Sequence, residues 1–259
     1  MSLFENLSQF STLLDIIAKL RAPDGCPWDK EQTHASLRGN LLEECYEVLA
    51  VLDDGNGENL CEELGDLLLQ IVLHAQIARE AGEFEISDVV QSISRKLIQR
   101  HPHVFGSVKV KDAAEVLKNW EHSKQEERGG SSMLASLPRQ MPALAYSQAI
   151  QQRVVQVGFD WADIDGVIDK LAEEVGEFKQ TESQEQKAEE FGDLLFTLVN
   201  IGRRLVFESE AALREANQNF YRRFSAVEEV CRQRRVNIAD LSFAEQNALW
   251  EEVKRGGEE

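Results

Sequence analysis

Apolar residues recur every third or fourth position along most of the chain, the spacing of helices that bury one side. No stretch alternates apolar and polar residues over the length of a strand, so the pattern predicts an all-α protein. Leu13, Leu14, Ile17 and Leu20 mark an amphipathic helix over 7–20, closed by the turn Ala22-Pro23-Asp24-Gly25. Helices over 39–52 and 60–81 follow, separated by Asp53-Asp54-Gly55-Asn56-Gly57. The next, over 86–100, is expected to turn Val89, Val90, Ile93 and Leu97 inward. It stops at a His101-Pro102-His103 loop, where proline removes an amide donor. A helix over 113–125 closes the first half, and further helices are expected over 143–155, 164–179, 185–207, 210–234 and 243–254.

Two of these helices carry acids beside their apolar stripe. Val167, Leu171, Val175 and Phe178 form one stripe; Phe191, Leu194, Leu195, Leu198 and Gly202 form the other. With about 100° per residue and Val175 and Phe191 set to zero, Glu174 and Glu190 both fall at about 260°. Glu177 and Asp193 both fall at about 200°. Packed as an antiparallel hairpin, the helices bring four carboxylates to one edge of their seam. Carboxylates that close repel one another and lose solvent, a strain that a hard cation relieves.

The chain contains this arrangement twice. Glu43-Glu44-Cys45-Tyr46-Glu47 and Glu62-Glu63-Leu64-Gly65-Asp66 in the first half match Glu173-Glu174-Val175-Gly176-Glu177 and Glu189-Glu190-Phe191-Gly192-Asp193 in the second. The match runs on: Lys96 and Arg100 correspond to Asn219 and Arg223, and Trp120-Glu121-x-x-Lys124 to Trp250-Glu251-x-x-Lys254. A repeat this long exceeds a solenoid unit and argues for two tandem domains. The boundaries are placed at 1–128 and 138–259, with a linker over 129–137 that opens on Gly129-Gly130-Ser131-Ser132.

Charge narrows the function. A formal net charge of −18 over 259 residues argues against sequence-independent nucleic-acid binding and against an anionic membrane surface. It leaves room for one small polyphosphate bridged to the acids by a cation. The four cysteines form no C-x-x-C pair, and Cys45 and Cys61 are expected as small reduced packing residues. The amino terminus lacks the basic start and apolar core of a signal peptide, and the greasiest run, 67–78, is interrupted by Gln70 and His74. A cytoplasmic protein is the expectation. Trp28, in Cys26-Pro27-Trp28-Asp29, is expected either as a hydrophobic plug or as a substrate contact.

Ligands that are all carboxylate oxygen suit Mg²⁺, with Mn²⁺ as a substitute, and disfavour zinc. Mg²⁺ held this way usually takes its remaining ligands from water and substrate phosphate. Arg222 and Arg223, or Lys96 and Arg100, could reach phosphates the metal does not neutralise. Trp250 and Trp120, each four residues before a lysine, offer a flat face for a base and a charge for its phosphate tail. Taken singly, each position is better read as part of a solvated basic helix face or as a core tryptophan; the set, recurring twice, points to a nucleotide.

The duplicated E-E-x-x-E and E-x-x-D, with Cys26-Pro27-Trp28-Asp29 before them and Arg222-Arg223-Phe224 and Trp250-Glu251-x-x-Lys254 after, resembles the MazG family of the all-α NTP pyrophosphatase superfamily. The resemblance spans nearly the whole chain. It implies a helical homodimer that hydrolyses nucleoside triphosphates to the monophosphate and pyrophosphate with Mg²⁺ and broad base tolerance. It further implies metal ligands Glu174, Glu177, Glu190 and Asp193, with first-half counterparts Glu44, Glu47, Glu63 and Asp66. Glu173 or one of the ligands would orient the attacking water. Lys170, Arg223 and Lys254 would hold phosphate and Trp250 would face the base, with Lys96, Arg100, Trp120 and Lys124 as counterparts. Asn219 departs from the family, which tends to carry lysine there. Catalysis is expected mainly in the second half.

Two other readings compete. A di-iron or di-manganese carboxylate bundle needs Glu-x-x-His on each of two helices, whereas the only instance is Glu31-Gln32-Thr33-His34. A non-catalytic adaptor would bind a nucleotide or a basic partner through the same acids without turnover.

Overall fold

The computed structural model describes residues 6–55, 57–113, 115–116, 119–120 and 132–256. The chain divides into two compact units, Met1–Lys124 and Gln125–Glu259. Among the described residues every regular element is helical. Gly129, Gly130 and Ser131 lie outside them, as does most of the second half of the helix expected over 113–125.

The first unit holds α1 (Phe10–Arg21), α2 (Pro27–Glu31), α3 (Arg38–Asp54), α4 (Gly57–Ala81), α5 (Ile86–Arg100) and α6 (Pro102–Phe105). Helices α3 and α4 pack as a hairpin, and α1 lies against α4. Gly55 ends α3 at a φ of 66°, a left-handed geometry that side chains with a Cβ resist. The core gathers Ile17, Leu37, Val72 and Leu73, flanked by Leu13, Leu14, Leu69 and Ile77. Arg21 ties the loops down: its guanidinium donates to Glu80 at 2.8 Å and to the backbone carbonyls of Asp29 and Gln32.

The second unit holds α7 (Ala143–Val155), α8 (Ile164–Gln180), α9 (Gln184–Arg204), α10 (Ser209–Arg234) and α11 (Phe243–Gly256), with a 3₁₀ turn at Ile238–Asp240. Asp163 caps α8 by accepting from the Gly166 amide at 3.0 Å. Ser183 caps α9 by accepting from the Gln186 amide at 3.2 Å. Helix α9 packs against α8 and α7, and α10 against α11 and α7. Val227, Cys231 and Leu249 make the core between α10 and α11. Two buried glutamines of α7 hold the other elements. Gln148 donates to the Phe207 carbonyl at 3.1 Å and accepts from the Ser209 amide at 2.9 Å, across the α9–α10 junction. Gln151 donates to the Phe196 carbonyl at 2.8 Å. At that junction Gly202 has no room for a side chain: a Cβ would stand 2.5 Å from Ser209 Oγ and 2.9 Å from the Phe207 ring.

Several expectations need correction. Helix α1 starts at Phe10 rather than at Leu7, because Asn6 turns the chain first, bonding Ser8 and receiving the Thr12 hydroxyl. His101-Pro102-His103 is not all loop, since proline occupies the first position of α6, where the missing amide costs nothing. Trp28 is mostly exposed and plugs nothing, and Cys61 is exposed rather than packed. Val90, Ile93 and Leu97 of α5 face outward, and the helix buries no residue: among the described residues nothing covers that face.

Candidate metal and nucleotide site

In the second unit, α8 and α9 join through three residues and so run antiparallel, with Phe178 and Phe191 ring to ring at 6.5 Å across their seam. One carboxylate oxygen from each of Glu174, Glu177 and Glu190 lies within 4.8 Å of the others. Glu174 is buried, Glu190 half-buried and Glu177 exposed, so the cluster opens to solvent from one side. Asp193 stands outside this set of three. Its charge still reaches the site. Burial first, then the charges of Glu177, Glu174 and Asp193, push the Glu190 carboxyl above its ordinary range. Lys170, one turn before Glu174 on α8, meets both Glu173 and Glu174 at 2.8 Å. Those two hydrogen bonds strengthen the ammonium's hold on its proton well beyond a free lysine's.

The first unit repeats the design with a different membership. Glu44, Glu63 and Asp66 converge within 4.8 Å, while Glu47 stands outside the set. Burial, then a hydrogen bond and charge from Glu47, raise the Glu44 carboxyl, opposed by Gln70, whose amide donates to Glu44 at 3.4 Å. Glu63 is raised by burial and by Glu47 and Asp66. At the position matching Lys170 the first unit has Asn40. Each unit therefore gathers three of its four candidate acids, and among the described residues neither set includes a histidine. His34 pairs instead with His74, Nδ1 to Nδ1 at 2.7 Å, so the Glu-x-x-His of the sequence supplies no ligand to either acid set.

An all-carboxylate donor set with carboxyl groups raised first by burial and then by one another's charge fits a hard divalent cation, and it fits at both clusters.

The candidate nucleotide residues of the second unit lie on α10 and α11. Trp250 packs against Phe220 with ring centroids 5.2 Å apart, and Phe220 stacks on Phe224 at 5.9 Å. These rings, with Val227, Ile238 and Phe243, line a cleft of about 350 Å³. Arg222 donates to Asn219, so the residue that replaces the family's lysine orients an arginine. Arg223 is half-buried and Lys254 exposed. In the first unit Lys96 borders a shallow cleft with Phe84, Val89 and Ile93; Arg100 and Trp120 are half-buried, and Lys124 lies outside the described residues. Phe220 and Phe243 escaped the sequence reading, and Phe224 entered it only as part of a motif, without a role. The i, i+4 spacing of Phe220 and Phe224, beside Arg223, was the available signal.

Residues 32–105 match the model of the MazG nucleotide pyrophosphohydrolase domain. The chain is 44% identical over 251 residues to the nucleoside triphosphate pyrophosphohydrolase/pyrophosphatase MazG of Thermotoga maritima, covering 96% of this chain and 97% of that one. It is 42% identical over 258 residues to the nucleoside triphosphate pyrophosphohydrolase of Escherichia coli, covering 96% and 98%. It is also 46% identical over 252 residues to the uncharacterized protein YabN of Bacillus subtilis, covering 95% of this chain and 52% of that longer one.

Proposed function

Since the chain belongs to the MazG family, we propose that it hydrolyses nucleoside triphosphates to nucleoside monophosphates and pyrophosphate at the α8–α9 acid cluster, with Mg²⁺ as its metal. The observation that carries this reading is the convergence of Glu174, Glu177 and Glu190 on one point, beside a lysine and on the same unit as an aromatic cleft. Asp193, whose charge reaches Glu190, would join these three in holding the ion. A bound divalent ion supplies Lewis-acid stabilisation of charge developing on phosphate oxygens.

The chain's own residues do the rest. Trp250 and Phe220 give the base a flat apolar face, which tolerates any base because stacking reads no hydrogen-bond pattern. Arg223 and Lys254 neutralise the phosphates by charged hydrogen bonds, and Arg222 reinforces them from its place on Asn219. Water attacks the α-phosphorus in line with the departing pyrophosphate, oriented by Glu173 or by a ligand carboxylate acting as base. The first unit, with Glu44, Glu63 and Asp66, binds the same kind of cation and serves mainly structure.

The functional molecule is a homodimer in the cytoplasm. Exposed Leu42, Leu49, Leu64, Leu68 and Ile71 on the first hairpin, with Val90, Ile93 and Leu97 on α5, support the dimer, because so much apolar surface is rarely left in water. Among the described residues no helix is long and apolar enough to cross a membrane. Assaying every ribo- and deoxynucleoside triphosphate, with and without Mg²⁺, and separating pyrophosphate from orthophosphate tests the reaction. Tight nucleotide binding without turnover would replace the enzyme by the adaptor.

A further inference from the structure

The two acid clusters of this chain differ in one charge. On α8 the Lys170 ammonium lies 2.8 Å from Oε1 of both Glu173 and Glu174, and Glu174 belongs to the converging set. On α3 the matching position is Asn40, and the partners of Glu44 are the neutral Gln70 amide, at 3.4 Å, and the Glu47 carboxyl. Nothing in the fold forces this difference, since position 170 lies at the rim, with a third of the lysine side chain exposed.

We propose that Lys170 is a tethered competitor of the divalent cation for Glu174, so that the second unit takes up its metal together with a polyphosphate rather than before it. This rests on the metal assignment above. A cation entering the Glu174–Glu177–Glu190 set meets a positive charge already hydrogen-bonded to its most buried ligand. Either the lysine leaves Glu174, losing that bond, or the two charges sit side by side, and both alternatives weaken binding of the metal alone. A triphosphate reverses the balance. Its oxygens offer the ammonium a new anionic partner, so lysine release and metal entry become favourable together. Metal and nucleotide then bind cooperatively, and by linkage each strengthens the other by the same factor. The first unit, with Asn40, lacks this device and binds the cation directly.

The test uses the full chain with Glu44→Gln and Glu63→Gln, which silence the first cluster, and follows Mn²⁺ alone by loss of its free-ion paramagnetic resonance signal. Lys170→Gln should bind Mn²⁺ about tenfold tighter than this parent, the effect of a nearby charge reduced by solvent. Lys170→Arg should stay within about twofold, since the charge remains. With an α,β-methylene triphosphate analogue present, the Lys170→Gln advantage should vanish, and the mutual strengthening of Mn²⁺ and analogue should fall about tenfold. A merely structural lysine would weaken both ligands together. Conversely, Asn40→Lys in a Glu190→Gln chain should loosen Mn²⁺ at the first cluster. Unchanged or weaker Mn²⁺ binding by Lys170→Gln overturns the competition while leaving the site in place. Absence of Mn²⁺ binding by the silenced parent overturns the metal assignment itself.

Discussion

Arg21 and Glu80, fifty-nine residues apart in sequence, meet at 2.8 Å and close the first unit across its α1–α4 contact. Only 5% of the arginine side chain is exposed, so its bonds count for more than those of a surface pair. Arg21→Ala should lower the stability of the first unit by about 2–3 kcal/mol, mostly from stranding the Asp29 and Gln32 carbonyls. Arg21, with help from Gln76, holds the Glu80 carboxyl below its ordinary range against some burial cost. A lowered folded pKa favours the folded state above the unfolded value, so this contribution should fade as pH falls through the folded pKa. Chemical denaturation from neutral to acid pH should show a shallower acid loss in Arg21→Ala than in the parent.

Gln148→Leu tests the buried amide that spans the α9–α10 junction. The leucine would leave the Phe207 carbonyl and Ser209 amide without their present partner, costing about 2 kcal/mol. Urea unfolding should show the loss. Hydrogen exchange should speed up first at the start of α10.

The acid clusters carry the opposite pH signature. Glu44, Glu63 and Glu190 all have raised carboxyl pKa values, with burial the first cause and neighbouring acids the next. A raised folded pKa means that ionisation disfavours the folded state, so metal-free stability should fall as pH rises from the ordinary glutamate range through the folded values. Glu190→Gln should flatten that fall and raise the metal-free melting temperature at neutral pH. Mg²⁺ should then stabilise the parent more than the variant in thermal scans.

Which unit turns over substrate is decided by paired ligand loss. Glu190→Ala in the full chain should cut pyrophosphate release at least about 100-fold, whereas Glu63→Ala should spare most of it. Retained helical circular dichroism would exclude unfolding as the cause. Loss with Glu63→Ala alone would move catalysis to the first unit.

The legible part of this protein is what a 3.6-residue period can carry. The bounds of α7 followed from spacing along one helix, and the pairing of Glu174 with Glu190 from spacing along two helices joined too closely to pack otherwise than antiparallel. Partner choice did not. Spacing along one helix carries no information on whether Lys170 meets Glu174 or solvent, or that Gln148 and Gln151 meet carbonyls of α9 and of its junction with α10. The outward face of α5 shows the converse: periodicity identifies an apolar stripe and leaves open what covers it.

Gly202 gives the second unit a lever. Helix α10 starts at the contact that this glycine permits, with Ser209 and Phe207 resting where a Cβ would stand. Arg223 lies fourteen residues along that helix, an arm of about 21 Å at 1.5 Å per residue. A tilt of about 5° at the pivot would therefore swing the arginine by about 2 Å, enough to miss a phosphate. One absent methyl group at the fulcrum thus fixes the aim of a side chain several turns away.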